Sequence, residues 1–411
     1  MTRNGASLSL RRRLPLYGVM AAGGLSIFGN AIAGLTLPWF ILSLTGSATW
    51  MGVTAAASMS ALVIGSLFGG PLIERLGSRP MVVTADMVSA ISVAAIPLLF
   101  LTGHLSIGIV IGLSALGALI DGPGMAASDG RYPELARLAG VPLERVTAID
   151  ELIENGATIL GPPMAGVVIA LFGIAPALFM TASCSLVAAI LAWLSFPKRS
   201  RTGNGQSVGF LDGARFLIGD PGLRLLLILS MAVVAVFGGL TAVVMPALFG
   251  GAGKTALDLG AFLTVAGCAA AIAALGFARW GPRLDRRLIV LVSLSGTSVG
   301  LGLMTVASAG LPLFVAGAIL GLATGALAPL VRTIVMRRAP ASIRASVIGA
   351  STAAALVATP LMALVAGVFV DLWGVTPVLA GFSALLALLW LIATFSPDLA
   401  RISRSPGDGP P

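Results

Sequence analysis

Apolar residues run along almost the whole chain in stretches of about 20 or more, interrupted by short polar connections. Such runs lie at 16–43, 50–73, 80–102, 105–128, 147–171 and 174–196, and again at 223–249, 258–280, 288–308, 311–335, 346–371 and 376–396. About 20 apolar residues rise roughly 30 Å as a helix, which is the thickness of a bilayer's hydrocarbon layer. The pattern therefore predicts an all-α membrane protein with twelve transmembrane helices. Between the sixth and seventh runs lies a polar segment containing Lys198, Arg199, Arg201, Gly203, Asn204, Gly205 and Gln206. It divides the chain into an N-terminal six-helix bundle (1–197), a cytoplasmic linker (198–222) and a C-terminal six-helix bundle with a short tail (223–411).

Charge adds a direction to this picture. Charged residues make up only 10% of the chain and hydrophobic ones 57%, against about 25% charged in soluble domains. Mean hydropathy is +1.02. Of the 25 Lys and Arg, all but Lys254 fall on alternate connections or at the two ends of the chain. By the positive-inside rule those connections, and both termini, face the cytoplasm. This assigns the protein to a bacterial cytoplasmic (inner) membrane, crossed many times. The net charge of +9 sits in these short loops, so it marks membrane orientation and no nucleic-acid partner is expected. Arg11, Arg12 and Arg13 precede an apolar stretch, and Ala31-Ile-Ala33 has the outline of a signal-peptidase site, but the run continues to about Leu44, too long for a signal sequence. Cys184 and Cys268 lie inside apolar runs and read as small hydrophobes.

The two halves carry related segments. Gly70-Pro-Leu-Ile-Glu74-Arg75-Leu-Gly77-Ser-Arg79 follows the second run, and Gly276-Phe-Ala-Arg279-Trp-Gly281-Pro-Arg283 follows the eighth. Pro162-Pro163-Met164-Ala165 in the fifth run has a counterpart in Pro360-Leu-Met362-Ala363 in the eleventh. Two six-helix repeats around a midplane site resemble the major facilitator superfamily. The segment Gly70, Glu74, Arg75, Gly77, Arg79 resembles that superfamily's signature between helices 2 and 3. There Gly70 would let helices approach, and Glu74 with Arg75 would form ion pairs that open and close with a gate. Glu74 departs mildly from the usual Asp.

Further motifs resemble exporters within the superfamily. Gly161-Pro162-Pro163-Met-Ala165-Gly166 is similar to the Gly-Pro motif of drug–proton antiporters, in which proline kinks the helix and small neighbours seat another helix against it. Phe28-Gly-Asn30, Leu37-Pro38-Trp39 and Leu44-Thr-Gly46-Ser47 resemble the first helix of pumps exporting macrolides, tetracyclines or enterobactin. Gly122-Pro-Gly124-Met-Ala-Ala-Ser-Asp129, with Pro133-Glu134, resembles Tap-type multidrug efflux pumps, as does Glu151-Leu-Ile-Glu-Asn155. Where Tap-type pumps carry Gly-Asp in helix 1, this chain has Gly29-Asn30, and an Asn cannot exchange a proton.

Ionisable residues inside a span are costly and are functional candidates by default. The proton-coupling candidates are Glu151, Glu154, Asp121 and Asp86. Glu151 and Glu154, with Asn155 four residues after Glu151, share a helix face, and Asp150 widens the stripe. Carboxylates so close repel one another and burial favours the neutral form, so one of them can hold a proton near neutral pH. Each has a plainer alternative. The fifth span can start deeper, leaving Asp150 in the headgroup zone beside Arg145 and the two glutamates at a solvated helix start; Asp86 can pair with the Arg75–Arg79 region; Asp121 can face cytoplasmic water. Asp371, near the outer end of the eleventh span, reads as interfacial.

Asn30, Thr36, Trp39 and Asn155 are the substrate-cavity candidates, with Phe28, Phe237 and Met245 as possible apolar walls against packing or lipid-facing roles. The helix-5 motif is Gly161, Pro162 and Gly166, with a generic kinked helix as its plainer alternative, and the stripe Gly317, Gly321, Gly325 reads as helix packing. His104 is the single histidine, so neither a metal cluster nor a histidine-based catalytic site is expected. Gly251-Ala-Gly253-Lys254-Thr255 has the end of a phosphate-binding loop, but Leu248 stands where its first glycine belongs.

These readings exclude an enzyme and a resident cofactor, leaving an ion gradient as the energy source. The expected function is export of small lipophilic, cationic molecules in exchange for protons, by a monomer, with antibiotic resistance as the phenotype. Export of a siderophore or endogenous metabolite is the alternative within transport, and a non-transporting membrane sensor or scaffold is the alternative of another class.

Overall fold

The computed structural model describes residues 3–196, 210–251, 253–307, 310–340 and 344–399. In the first half of the chain the helices are α1 (Arg3–Thr45), α2 (Ala48–Leu76), α3 (Ser78–Leu101), α4 (Ile107–Asp129), the short α5 (Tyr132–Ala139), α6 (Leu143–Phe172) and α7 (Ile174–Ser195). The second half has α8 (Phe210–Gly219), α9 (Pro221–Gly239), α10 (Met245–Gly251), α11 (Ala256–Trp280), α12 (Arg286–Val306), α13 (Leu311–Thr324), α14 (Leu327–Arg338), α15 (Arg344–Trp373) and α16 (Val375–Phe395). Among the described residues, eleven helical stretches are long and apolar enough to cross a membrane, and α15 adds a shorter apolar one, Val357–Trp373. Part of the 198–222 linker lies outside the described residues; the rest is not simple connection, since Phe210–Gly219 is helical.

Two apolar runs are not single straight helices. In 223–249 a π-helical turn at Leu240–Val244 separates α9 from α10. Pro246 has no amide to offer the carbonyl of Ala242, and its ring crowds that carbonyl. The chain widens there, and the Met245 amide reaches back five residues to Leu240. The run 311–335 breaks at Gly325–Ala326 into α13 and α14.

The helices form two compact units. One comprises residues 1–45, 53–205 and 255–260, the other 46–52, 206–254 and 261–411. In the first, α1 packs on α6 and α7, and α3 on α4 and α7. One end of this unit is closed by α5, whose Tyr132, Leu135, Ala136 and Ala139 bury one face against Leu16, Met20, Met81, Val146 and Phe196. Gly140, left-handed at φ 66°, ends α5, and the Val141 amide then donates to the Ala136 carbonyl at 3.0 Å. In the second unit α9 packs on α15, and α12 on α13 and α16.

Small residues set the closest crossings. A Cβ on Gly65 would stand 1.9 Å from the Leu119 carbonyl oxygen, and one on Gly69 3.1 Å from the Pro123 Cα. Gly70 faces open space, so the close approach of α2 to α4 is made by its neighbours in that row rather than by Gly70 itself. Gly317, Gly321 and Gly325 lie against Phe262, Ala266 and Ala270 of α11, which explains the four-residue spacing as a packing stripe.

Each half also anchors an arginine in the same way. Arg79, at the start of α3, donates to the Trp193 carbonyl near the end of α7 at 2.5 Å and lies 4.1 Å from the centre of the Trp193 ring. Arg287, at the start of α12, donates to the Thr394 carbonyl near the end of α16. Both cations answer unsatisfied carbonyls at a helix C-terminus, where the helix dipole favours positive charge.

Candidate functional site

The first unit carries two groups of carboxylates. The deeper group joins α1, α3 and α4. Ser26 donates to Asp86 at 2.7 Å, and Asn30 donates to Asp121 at 3.4 Å. Ser26 and Asn30 are four apart and share a face of α1. Asp86 is 5% exposed, and Asp121 lies within its electrostatic field. Asp86 is eight residues into α3 and Asp121 eight residues short of the end of α4. Both therefore stand about 12 Å along their helices from the same end of the unit.

The second group lies nearer that end. Asp129 closes α4, and Asp150 and Glu154 of α6 act on it electrostatically. Tyr132 donates to Asp150 at 2.6 Å. Beside them Arg131, 5% exposed, forms an ion pair with Glu134 at 2.6 Å.

The sequence candidates are thus distributed rather than gathered. Asp86 and Asp121 meet across three helices. Asp86 takes its hydrogen bond from Ser26, while Arg79 is committed to α7, so the pairing of Asp86 with the Arg75–Arg79 region is replaced by one with α1. Glu151 is exposed and Asn155 returns its amide to the Glu151 carbonyl at 2.8 Å. Thr36 is fully buried and spends its hydroxyl on the Ile32 carbonyl at 2.8 Å. Trp39 is half-buried. Phe237 is 36% exposed, whereas Met245, beyond the π-helical turn, is 0% exposed. Glu74 and Arg75 are both exposed and make no ion pair with a described residue.

Gly161 and Gly166 do seat neighbours. A Cβ on Gly161 would meet Ala31 Cβ at 2.5 Å, and one on Gly166 the Ala256 carbonyl oxygen at 2.7 Å. A Cβ on Gly260, in turn, would stand 2.8 Å from the Pro162 carbonyl oxygen. Sequence reasoning missed Ser26 and Tyr132 as partners. The four-residue spacing of Ser26 and Asn30 was the available signal for the first. Among the described residues no three His, Cys, Asp or Glu side chains are grouped to hold a metal ion.

Both the sequence and the fold match known proteins. Residues 227–410 match the Major Facilitator Superfamily. The second half of the chain thus resembles that superfamily. Over 95% of its length and 96% of the relative's, the chain is 29% identical to the multidrug efflux pump Tap of Mycolicibacterium fortuitum. It is 28% identical, over 96% of each chain, to the multidrug efflux pump Tap of Mycobacterium tuberculosis. The enterobactin exporter EntS of Salmonella typhi is 25% identical over 76% of this chain and 74% of its own. The solved structure of the nucleoside transporter NupG shares this fold, with a TM-score of 0.78 at 13% identity, covering 92% of this chain and 98% of that one.

Proposed function

We propose that this protein exports small lipophilic, cationic molecules in exchange for protons by alternating access, from a bacterial inner membrane that it crosses twelve times with both termini inside. The observation that carries the reading is the pair Asp86 and Asp121, two carboxylates set among α1, α3 and α4 with Ser26 and Asn30 as their polar partners. A carboxylate charge away from water is costly unless a cation or a proton answers it. Two carboxylates in each other's field make that demand sharper, and a cationic cargo or a proton meets it equally well. Competition between the two for one site is antiport in its simplest form. Asn30 has no proton to exchange, so in this reading it orients Asp121 and leaves coupling to the carboxylates. Glu151 and Glu154 stand closer to the inner end, where they would pass protons or cations to the deeper pair. The similarity to Tap pumps over nearly the full chain supports drugs as cargo.

The test uses inside-out vesicles with an imposed proton gradient and a pH-sensitive dye. Lipophilic cations added to the wild type are expected to collapse the gradient, and Asp121→Asn to reduce that response at least tenfold. Glu151→Gln and Glu154→Gln should reduce it less. If Asp86→Asn and Asp121→Asn both respond like the wild type, the pair does not carry coupling. If no cation in the panel moves protons through the wild type, proton–drug exchange is wrong for that panel. Siderophore or metabolite export is the second reading, favoured by the similarity to the enterobactin exporter. It predicts that a catecholate siderophore, and no cationic drug, is retained by cells lacking the protein.

A further inference from the structure

The N-terminus of α2 is capped by a residue 324 positions away in the sequence. Asp371, near the end of α15, accepts from the Ser47 hydroxyl at 2.5 Å, the Ala48 amide at 2.7 Å and the Thr49 amide at 2.9 Å. The first turn of α2 and all of α15 belong to the same compact unit, although α2 passes into the other unit from Val53. Backbone lies directly on backbone there. A Cβ on Gly52 would stand 2.5 Å from the Ala363 carbonyl oxygen, and one on Gly367 2.6 Å from that of Ala48. Ala363, Gly367 and Asp371 are spaced by four along one face of α15. The glycines bring the helices together and thereby deliver the α2 amides to the carboxylate.

The related junction is built differently. At the start of α11, Asp258 accepts from both the Thr255 amide and the Thr255 hydroxyl at 2.8 Å, and its own amide donates to that hydroxyl at 3.3 Å. This is a cap made within one helix, with a hydroxyl before the first turn and an acid three residues on. In α2 the hydroxyl is Ser47, but three residues on stands Trp50, and the first turn has no acid. The acid comes from α15 instead. A cap supplied by the helix itself satisfies its amides wherever the helix goes. One supplied by a neighbour satisfies them only while the two helices touch.

We propose that Asp371 is a latch. It rewards docking of the first turn of α2 on α15, and leaving that position uncovers the α2 amides and a carboxylate together. α11, carrying Asp258, pays no such penalty on leaving α6. The latch is independent of which cargo is moved.

The test reads opening of the junction directly. Ala48 is 2% exposed, so Ala48→Cys, in a full-length protein with Cys184→Ser and Cys268→Ala, reports parting of the helices by its rate of maleimide labelling. Asp371→Asn is expected to raise that rate on the order of tenfold, the equivalent of a lost cap. Adding Trp50→Asp rebuilds the Thr255–Asp258 arrangement at Ser47. Thermal stability in detergent should then recover while labelling stays fast, because a cap within α2 favours neither position. Labelling unchanged in Asp371→Asn overturns the proposal. So does a return to slow labelling on adding Trp50→Asp, which makes Asp371 a static cap. If Asp371→Asn does not fold, Ser47→Ala in the same background carries the same test, with an expected rise of about threefold.

Discussion

The two halves of the chain share a skeleton and differ in chemistry. Both anchor an arginine at the start of one helix on the final turn of another, Arg79 on α7 and Arg287 on α16. Both turn on left-handed glycines: Gly46 and Gly253, Gly103 and Gly310, Gly173 and Gly374. The first two pairs are separated by the same 207 residues. The carboxylates do not repeat. The first half holds Asp86 and Asp121 in mid-helix, whereas from Pro221 to Phe395 the acids are Asp258, Asp285 and Asp371, each in the first or last turn of a helix or at its cap. Where the first half ties α1 to α3 through Ser26 and Asp86, the second ties α12 to α16 through reciprocal bonds of Ser298 and Ser383, 2.8 Å each. Hydroxyls hold helices together without holding a charge. What recurs is architecture, and what does not recur is the candidate chemistry.

That division can be broken at several points. The largest effect is expected where backbones touch, in either half. Gly65→Val and Gly321→Val place a side chain 1.9 and 2.0 Å from a carbonyl oxygen and should each cost about 3 kcal/mol or more, read as loss of folded protein in membranes. Gly70→Val, beside open space, should leave the yield unchanged. Next comes the contrast between carboxylate and hydroxyl. Asp86→Asn is expected to lower transport about tenfold or more with normal expression. Ser293, the residue 207 positions after Asp86 and 2% exposed, should tolerate Ala with transport within about twofold. An equal loss at Ser293 would put chemistry in both halves. The smallest effect tests the repeat itself. Arg79→Ala and Arg287→Ala should lower the unfolding temperature in detergent by similar amounts, corresponding to about 1 kcal/mol each. A change at one alone would mean that the two anchors are not equivalent.

The spans were legible because lipid imposes a length and an apolar composition that few other structures share. The glycine stripe Gly317, Gly321, Gly325 was legible too, because its four-residue spacing is local to one run. The interruption at Leu240–Val244 was not, although Pro246 offered a hint, because a proline in a span signals a kink without saying how the backbone absorbs it. The site was half legible. Asp86 and Asp121 stood out as charges in apolar runs, but their partners depend on how α1 faces α3 and α4, which periodicity leaves open. Thr36 shows the opposite failure, since a hydroxyl in a span can satisfy itself on its own helix. Asp371 read as an interfacial charge because its partners are more than 300 residues distant.

The π-helical turn has a consequence for anyone comparing this span with another. It holds about one residue more than a straight helix would use for the same rise, so residues on its two sides follow different helical phases, offset by roughly 100°. A scan of substitutions from Pro221 to Gly251 plotted on a single wheel would smear its pattern. Plotted on two wheels, one ending at Gly239 and one starting at Met245, it should resolve into two separate stripes. An alignment that matches one side of the turn to an uninterrupted helix is out of step by one position on the other.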